Sequence, residues 1–269
     1  MKLNLYVDGS WLFKQCDRKK IFANRTESPG RWVSVDFTKM ISLIEGRAGA
    51  FYGSAPERGV AYFCTSIFTI PVDADTWPTV LRDPSRLSKL RANVHARQAF
   101  ADKAVAAGFA PDGLLHPTLR PWVLDRIATH GYQEKQVDTW LVAHLVERAI
   151  SEPDSIHFIA SGDADMMPGI QTVVPRYTER VVHVGTHPLQ FDLEDQQTSF
   201  AFESFRLRHG PVYLEDYLDQ FIEGAYVYHC RNPGCGKVFT RTEPPHGTTA
   251  GFCAACEAEV STRVRRGRA

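Results

Sequence analysis

The chain has 269 residues, of which 43% are hydrophobic and 23% are charged, as in ordinary globular proteins. Its formal net charge is zero, so overall charge does not indicate a nucleic-acid partner. No apolar run approaches the roughly 20 residues needed to cross a bilayer, and no basic region precedes the first apolar segment. We therefore expect a cytoplasmic protein with one large domain, alone or joined to a small one.

Short apolar runs alternate with helix-like stretches along most of the chain. The predicted strands are residues 3–7, 60–64, 156–160 and 181–184. The spacing of apolar residues and the stop signals predict helices over 36–45, 88–107 and 137–150. Residues 71–86, rich in proline and aspartate, are predicted to form a surface excursion. The alternation predicts an α/β fold with a mainly parallel sheet and helices on both faces.

Carboxylates follow or begin the predicted elements at three places. Asp8 closes the first strand, Asp138 begins the helix at 137–150, and Asp163 and Asp165 follow the strand at 156–160. Open α/β sheets bind ligands at the carboxyl ends of their strands, so these side chains are expected in one crevice. Clustered carboxylates stay ionised together around a cation, and oxygen ligands favour Mg²⁺ or Mn²⁺. The pattern therefore indicates metal-assisted phosphate chemistry.

Each of these acids also has a purely structural interpretation. Asp163 is a good helix N-cap, Asp138 is a first-turn acid favoured by the helix dipole, and Asp8 is a turn residue before Gly9. Spacing alone leaves both interpretations open.

Three segments resemble the signature segments of the NYN family, and more narrowly of its LabA-like branch within the PIN-like nuclease superfamily. They are residues 6–13 (YVDGSWLF), 134–138 (EKQVD) and 161–168 (SGDADMMP). The resemblance covers about residues 1–200. It implies a Rossmann-like α/β/α PIN-like domain with an acidic pocket that holds Mg²⁺ or Mn²⁺ and hydrolyses RNA phosphodiester bonds.

The resemblance assigns roles to individual residues of the pocket. The expected Mg²⁺ or Mn²⁺ ligands are Asp8, Asp138 and Asp163. Asp165 completes the predicted catalytic set, as an outer-sphere ligand or a residue that orients the attacking water. The predicted substrate contacts are Ser10, Lys135 and Ser161.

Two positions depart from the family pattern. Trp11 stands where family members usually carry asparagine, and His144 stands where they often carry a further aspartate. The loss of one acid lowers the negative charge of the pocket and weakens a second metal. We interpret both residues as core residues; the alternatives are a metal ligand for His144 and a base-stacking surface for Trp11.

Four of the six cysteines form two close pairs near the C-terminus. They are Cys230 with Cys235 and Cys253 with Cys256, and 17 residues separate the pairs. Such pairs can place four thiolates around Zn²⁺, with His229 or His246 as an alternative to one thiolate. Two disulfides are disfavoured in a reducing compartment. We predict a zinc ribbon whose folding free energy the metal supplies.

These patterns divide the chain into four parts. We predict an NYN/PIN-like nuclease domain over 1–210, a connecting helix or linker over 211–224, a zinc ribbon over 225–260 and a basic tail over 261–269. The tail is either a solvated end or an arm that follows phosphates.

The expected function is a metal-dependent ribonuclease acting on single-stranded or structured small RNA. The ribbon would hold RNA or recruit a protein partner. The alternative is a catalytically weakened or inactive NYN-fold module that binds RNA or protein. Hydrolysis of nucleotides or other phosphate esters is disfavoured because the glycine-rich phosphate loop is missing from the sequence.

Overall fold

Six parallel strands form the central sheet of the protein, in the order β3-β2-β1-β4-β5-β6. The computed structural model describes residues 1–16, 33–132, 136–186, 207–223 and 226–230, together with 232, 234–235, 237–241, 252–253 and 255–256. The strands are β1 (Lys2–Asp8), β2 (Glu57–Ser66), β3 (Leu114–Leu115), β4 (Ile156–Ala160), β5 (Val181–Gly185) and β6 (Val212–Tyr213).

The strand order reverses direction next to β1. β1 pairs with β2 on one side and with β4 on the other, so that Leu5 lies between Ala61 and Phe158. From this centre the chain builds outward to β3 on one side and to β6 on the other. A reversal of this kind opens a crevice at the carboxyl ends of the two strands that flank it, here β1 and β4.

Eight α-helices of the described residues surround the sheet. They are α1 (Gly9–Gln15), α2 (Phe37–Tyr52), α3 (Pro78–Arg82), α4 (Pro84–Ala106), α5 (Pro121–His130), α6 (Val137–Ser151), α7 (Met167–Val173) and α8 (Leu218–Phe221). Aspartates begin several of them: the Asp36 carboxylate accepts the Lys39 amide at the start of α2, and Asp83 accepts that of Ser85 in α4.

Apolar side chains fill both faces of the sheet. On one face, strand residues such as Leu5 and Phe158 pack with residues from α1, α2, α4 and α8. On the other, Tyr6 and Ile159 pack with α6 and α7. Side chains of successive strand residues point to opposite faces, so strands buried on both sides are continuously apolar. The predicted α/β fold, with a parallel sheet between two helical layers, is confirmed.

The region between β2 and α6 has a small core of its own. Trp77 and Val80 are buried there with Leu87 and Leu124. Residues 71–86, predicted as a surface excursion, contain a 3₁₀ turn (Val72–Thr76), α3 and the start of α4. The three prolines of this segment stand at the starts of these helical segments, where their missing N–H costs no hydrogen bond.

The segment predicted as a linker, 211–224, contributes to the large domain. β6 pairs with β5, and Leu214, Leu218 and Phe221 are completely buried in the core. The Asp36 amide donates to the Phe221 carbonyl over 2.7 Å. The segment does contain the expected short helix, and this helix packs against α2.

Beyond this segment an antiparallel hairpin carries the cysteine-rich region. It consists of β7 (Tyr226–His229) and β8 (Val238–Arg241). The basic tail, 261–269, lies outside the described residues. None of the helices in the described part of the chain is both long and apolar enough to cross a membrane.

Candidate functional site

Three carboxylates converge at the carboxyl edge of the sheet, beside the crevice between β1 and β4. Asp138, Asp163 and Asp165 each place one oxygen so that all three oxygens lie within 4.8 Å of one another. Asp138 is half-buried, whereas Asp163 and Asp165 are exposed. A set of hard oxygen ligands at this spacing, open to solvent on one side, suits a divalent cation such as Mg²⁺ or Mn²⁺.

The turn after β4 positions two of these acids. Ser161 and Gly162 leave the strand, and Asp163 then begins a 3₁₀ turn (Ala164–Met166). The Asp163 Oδ1 accepts the amide of Asp165 over 2.9 Å, which is an N-cap interaction. The capping interpretation and the metal interpretation therefore both apply to Asp163, because a capping carboxylate retains a second oxygen for a ligand.

The third acid of the group, Asp138, is positioned by a helix rather than by a strand end. It lies in the first turn of α6, the helix that leads back to the start of β4. Burial, and then the charges of Asp8, Asp163 and Asp165, raise the pKa of the Asp138 carboxyl to about 7. A carboxyl with this environment is partly protonated at neutral pH, and a bound cation would restore its charge.

Asp8 is not among the three acids whose oxygens lie within 4.8 Å of one another, although its charge acts on Asp138. Its Oδ1 accepts the amides of Ser10 and Trp11 over 3.0 and 2.8 Å, and its Oδ2 accepts the Ser161 hydroxyl over 3.2 Å. The side chain is buried. The three acids that meet are thus Asp138, Asp163 and Asp165, whereas the sequence suggested Asp8, Asp138 and Asp163 as the ligands. Asp8 caps α1 and adds negative charge.

The two serines predicted to contact substrate are buried and hydrogen-bonded within the protein. The Ser10 hydroxyl is buried against the Thr65 hydroxyl at 2.9 Å. The Ser161 hydroxyl is buried between Asp8 and the amide of Asp163, which donates to it over 3.0 Å. Both hydroxyls form hydrogen bonds within the protein, and these bonds help to position the residues around the acidic cluster. Lys135, the third predicted substrate contact, lies outside the described residues.

A buried histidine that the sequence analysis missed supports the turn. His183 on β5 places its Nε2 2.8 Å from the carbonyl oxygen of Ser161. Burial lowers the pKa of His183 to about 4, so the ring is neutral near pH 7 and its Nε2–H donates to that carbonyl. A histidine inside the apolar run VVHVG was the available signal, since a polar group in a buried strand needs a partner.

Trp11 is buried, as the sequence analysis expected, but it also forms part of the floor of the site. A methyl group added at Gly162 would lie 2.7 Å from Trp11 Cδ1 and closer still to Nε1. Glycine is therefore required at this position because the indole ring lies directly against the backbone. The indole N–H has no hydrogen-bond partner among the described residues.

His144 lies away from the three acids. Its ring contacts Trp140, with centroids 3.9 Å apart, and Tyr62, with centroids 5.0 Å apart. Its Nδ1 lies 3.2 Å from a carboxylate oxygen of Glu147 on the same helix. His144 thus packs against aromatic neighbours, but it is half-buried rather than the core residue that the sequence analysis expected.

The four cysteine sulfurs form a second cluster compatible with metal binding. Cys230, Cys235, Cys253 and Cys256 place their sulfurs within 4.8 Å of one another. The backbone amide of Cys253 donates to the Cys230 sulfur over 3.4 Å, and the Asn232 side chain donates to the Cys256 sulfur over 3.2 Å. N–H donors directed at sulfur stabilise thiolates, the form in which cysteine binds metals. Sequence reasoning missed the contribution of Asn232.

Comparison with known proteins does not show a family for this chain. No protein-family model matches the sequence, and no curated protein is significantly similar to it. A crystal structure of a protein of unknown function from Vibrio parahaemolyticus RIMD 2210633 is similar over 73% of this chain and 88% of that chain. The two sequences are 16% identical and the TM-score is 0.39.

Proposed function

We propose that the protein is an NYN-type ribonuclease that hydrolyses RNA phosphodiester bonds at a Mg²⁺ or Mn²⁺ site. One observation carries the proposal: Asp138, Asp163 and Asp165 meet at the carboxyl edge of a parallel sheet, where the strand order reverses. Burial, followed by the charges of the neighbouring carboxylates, raises the pKa of Asp138, and a bound cation would offset both effects, which supports the proposal. The resemblance of the three acid-bearing segments to the NYN signatures supplies the class of substrate.

In this proposal some residues bind the metal ion, and others keep the metal ligands in position. Asp138, Asp163 and Asp165 would bind the cation, which when present lowers the pKa of a bound water and offsets negative charge on the phosphate. Asp8 would fix α1 relative to the turn after β4, because its carboxylate accepts hydrogen bonds from Trp11 and Ser161. His183 would hold that turn from the opposite side.

We further propose that the cysteine cluster binds Zn²⁺. Four sulfurs already lie close together, so neither His229 nor His246 is needed to complete a tetrahedral set. Zinc would then fix the positions of the two cysteine pairs relative to each other. A role in holding RNA or a partner protein follows from the basic composition of this end of the chain, which has seven Lys and Arg against three Glu from residue 225 onward.

The second candidate is a binding module without catalytic activity. The observation that favours it is His144, which packs against Trp140 and Tyr62 where related sequences often place another acid. A pocket with fewer acids holds a second metal less well. Such a module would bind RNA without added divalent metal.

The test is cleavage of labelled single-stranded, hairpin and transfer RNAs with added Mn²⁺. The proposal expects cleavage that stops on chelation and in Asp163→Asn. This substitution keeps the oxygen that caps the 3₁₀ turn, so the turn should survive while the charge is lost. Asp154→Asn is the matched control, because Asp154 is fully exposed just before β4, at the opposite edge of the sheet.

The outcomes separate the two candidates. If the Asp154→Asn protein cleaves RNA and the Asp163→Asn protein does not, the result supports the proposed ribonuclease. RNA binding without cleavage, equal in both variants and independent of Mn²⁺, would replace it with the binding module. Cleavage retained in Asp163→Asn would point to a contaminating enzyme and remove the support for this site.

A further inference from the structure

A cavity of about 220 Å³ opens at the end of β2, at the carboxyl edge of the sheet where the acidic cluster also lies. It is bounded by the end of β2 at Ser66, by the chain before α5, and by α5 itself. Phe68 and Ile127 contribute apolar surface, while Arg120 and Arg126 supply positive charge. The volume falls below the roughly 300–1,000 Å³ of sites that enclose a whole small ligand, so it suits a part of a larger molecule.

An exposed tryptophan lines this cavity. Trp122 leaves 65% of its surface open to solvent, although tryptophan is among the side chains with most to gain from burial. It lies one helical turn before Arg126, so the two side chains share a face of α5. Within the described part of the chain, neither Arg120 nor Arg126 has a carboxylate partner. As far as the described residues go, the aromatic ring and both guanidinium groups are open to a ligand.

The cavity is joined to the acidic cluster through the start of α6. Gln136 lines the cavity and is the residue before α6, and Asp138 follows two residues later. Two residues of chain span at most about 7 Å between their Cα atoms. Gln136 has a left-handed backbone, with φ of 79°, which non-glycine residues adopt rarely. The turn between the cavity and Asp138 is thus held in an uncommon conformation.

We propose that this cavity binds one base of single-stranded RNA, next to the phosphate held at the acidic cluster. The base stacks on Trp122, and Arg120 and Arg126 contact the phosphates that flank it. Stacking on an aromatic ring requires an unpaired base, so the subsite selects single strands over duplexes. This inference rests on the proposed ribonuclease function for the identity of the ligand.

Charge favours RNA over a protein as the occupant. An acidic cluster repels a polyanion in its neighbourhood, so a strand that reaches it needs positive charge along its path. The arginines beside Trp122 supply that charge, and arginine binds phosphate through two parallel hydrogen bonds. A protein-binding surface would instead centre on a broad apolar patch with charge depleted from its middle.

The test measures binding separately from cleavage. A fluorescein-labelled oligouridylate is titrated with full-length, zinc-loaded Asp163→Asn protein without added Mg²⁺ or Mn²⁺, and anisotropy is recorded. We expect Trp122→Ala to weaken binding about tenfold, within the range found for single stacked bases, and Trp122→Phe to restore much of it. We expect Arg126→Gln to lower the slope of log affinity against log salt by about 0.7.

Matched controls come from the opposite edge of the sheet. Tyr177 and Arg176 are exposed on the connection from α7 to β5, so Tyr177→Ala and Arg176→Gln should leave binding unchanged. Thermal unfolding of each variant checks the fold, which should be preserved because Trp122 is mostly exposed. A duplex of the same length should bind more weakly and should not respond to Trp122→Ala.

The outcomes for the subsite and for the nuclease are distinct. Oligouridylate binding that is undetectable, or equal in Trp122→Ala and the starting protein, overturns the subsite. If the wild type cleaves RNA and Trp122→Ala does so with unchanged kcat/KM, the nuclease stands and the subsite is overturned. If binding depends on Trp122 while the wild type never cleaves with Mn²⁺, the subsite stands and the nuclease fails.

Discussion

Asp138 connects the stability of the protein with the proposed metal site. Its pKa is about 7 in the folded protein and 3.8 for a free side chain. Between these values the folded state binds more protons than the unfolded state, so this carboxyl's contribution to stability falls as pH rises from about 4 to about 7. Above pH 7 the metal-free protein retains the full repulsion among its acids.

We therefore expect Asp138→Asn to stabilise the metal-free protein at pH 8. The gain should be about 1 kcal/mol after allowance for partial exposure, or about 2–4 °C in Tm, and it should vanish towards pH 4. The measurement is the Tm difference between variant and wild type at each pH. That difference cancels the opposite contribution of His157 and His183, whose pKa values burial lowers to about 4. A gain independent of pH would contradict this account.

Gly162 gives a second prediction at the residue scale. Gly162→Ala forces a methyl group into Trp11, so either the indole or the Ser161–Asp165 turn must move. We expect a loss of about 1–3 kcal/mol in the free energy of unfolding, together with weaker Mn²⁺ binding. Urea unfolding and a Mn²⁺ titration measure the two effects.

The matched control for this substitution is Gly46→Ala. Gly46 lies within α2, and a methyl group there meets no atom within 4 Å. We expect a gain of roughly 0.5–1 kcal/mol from helix propensity, with Mn²⁺ binding unchanged. Equal effects of the two substitutions would show that contact with Trp11 does not constrain the site.

At the scale of elements, long periodic segments were predictable and short ones were not. The helix predicted at 137–150 is α6, Val137–Ser151, and the run at 156–160 is β4. The two-residue strands β3 and β6 were missed because so short a segment carries no period. β3 and β6 are extended because they pair with β2 and β5, and not because of a pattern in their own sequences.

The acidic site likewise has a part that was predictable from the sequence and a part that was not. Sequence placed four aspartates at one edge of the sheet because strand ends and helix starts are visible in the order of residues. It could not show which three would meet, because Asp8 is occupied by the α1 amides and by Ser161. Ser161 follows a strand far along the chain from Asp8, and nothing local to either residue reports that contact.

The cysteine-bearing hairpin gives a prediction at the scale of elements. We expect a single zinc ion per chain, lost in Cys256→Ser and retained in Cys64→Ala, since Cys64 is buried in the sheet away from the cluster. Metal analysis of the purified proteins measures the content. Loss of zinc should leave the unfolding transition of the large domain in place. Zinc retained in Cys256→Ser would require another ligand.

At the scale of the whole molecule, the large domain extends further than composition suggested. Leu214, Leu218 and Phe221 have no exposed surface and pack in the main core. The Glu223 amide donates to the Ser34 carbonyl, and Lys103 donates to the Glu223 carboxylate over 2.7 Å. The last buried residues of the domain are therefore found where the change to a cysteine-rich composition begins.

Truncation at two positions tests this boundary. A protein ending at residue 210 loses three fully buried side chains, each worth about 3–5 kcal/mol in a core, which together equal the whole stability of a typical domain. We expect it to be insoluble or to unfold without cooperativity. A protein ending at Glu223 should show a sharp thermal transition. A folded, cooperative 1–210 fragment would contradict the assignment of β6 and α8 to this core.

The position of β1 has a consequence for synthesis of the protein. β1 is a central strand of the sheet, and its neighbour β4 follows it in the chain only after β2, β3 and six helices of the described residues. A nascent chain must keep β1 available until residue 160, and the acids assemble only once Asp165 has emerged. The core closes later still, at Phe221. The acidic cluster therefore cannot form in a nascent chain until β4 and the turn after it have emerged, long after β1.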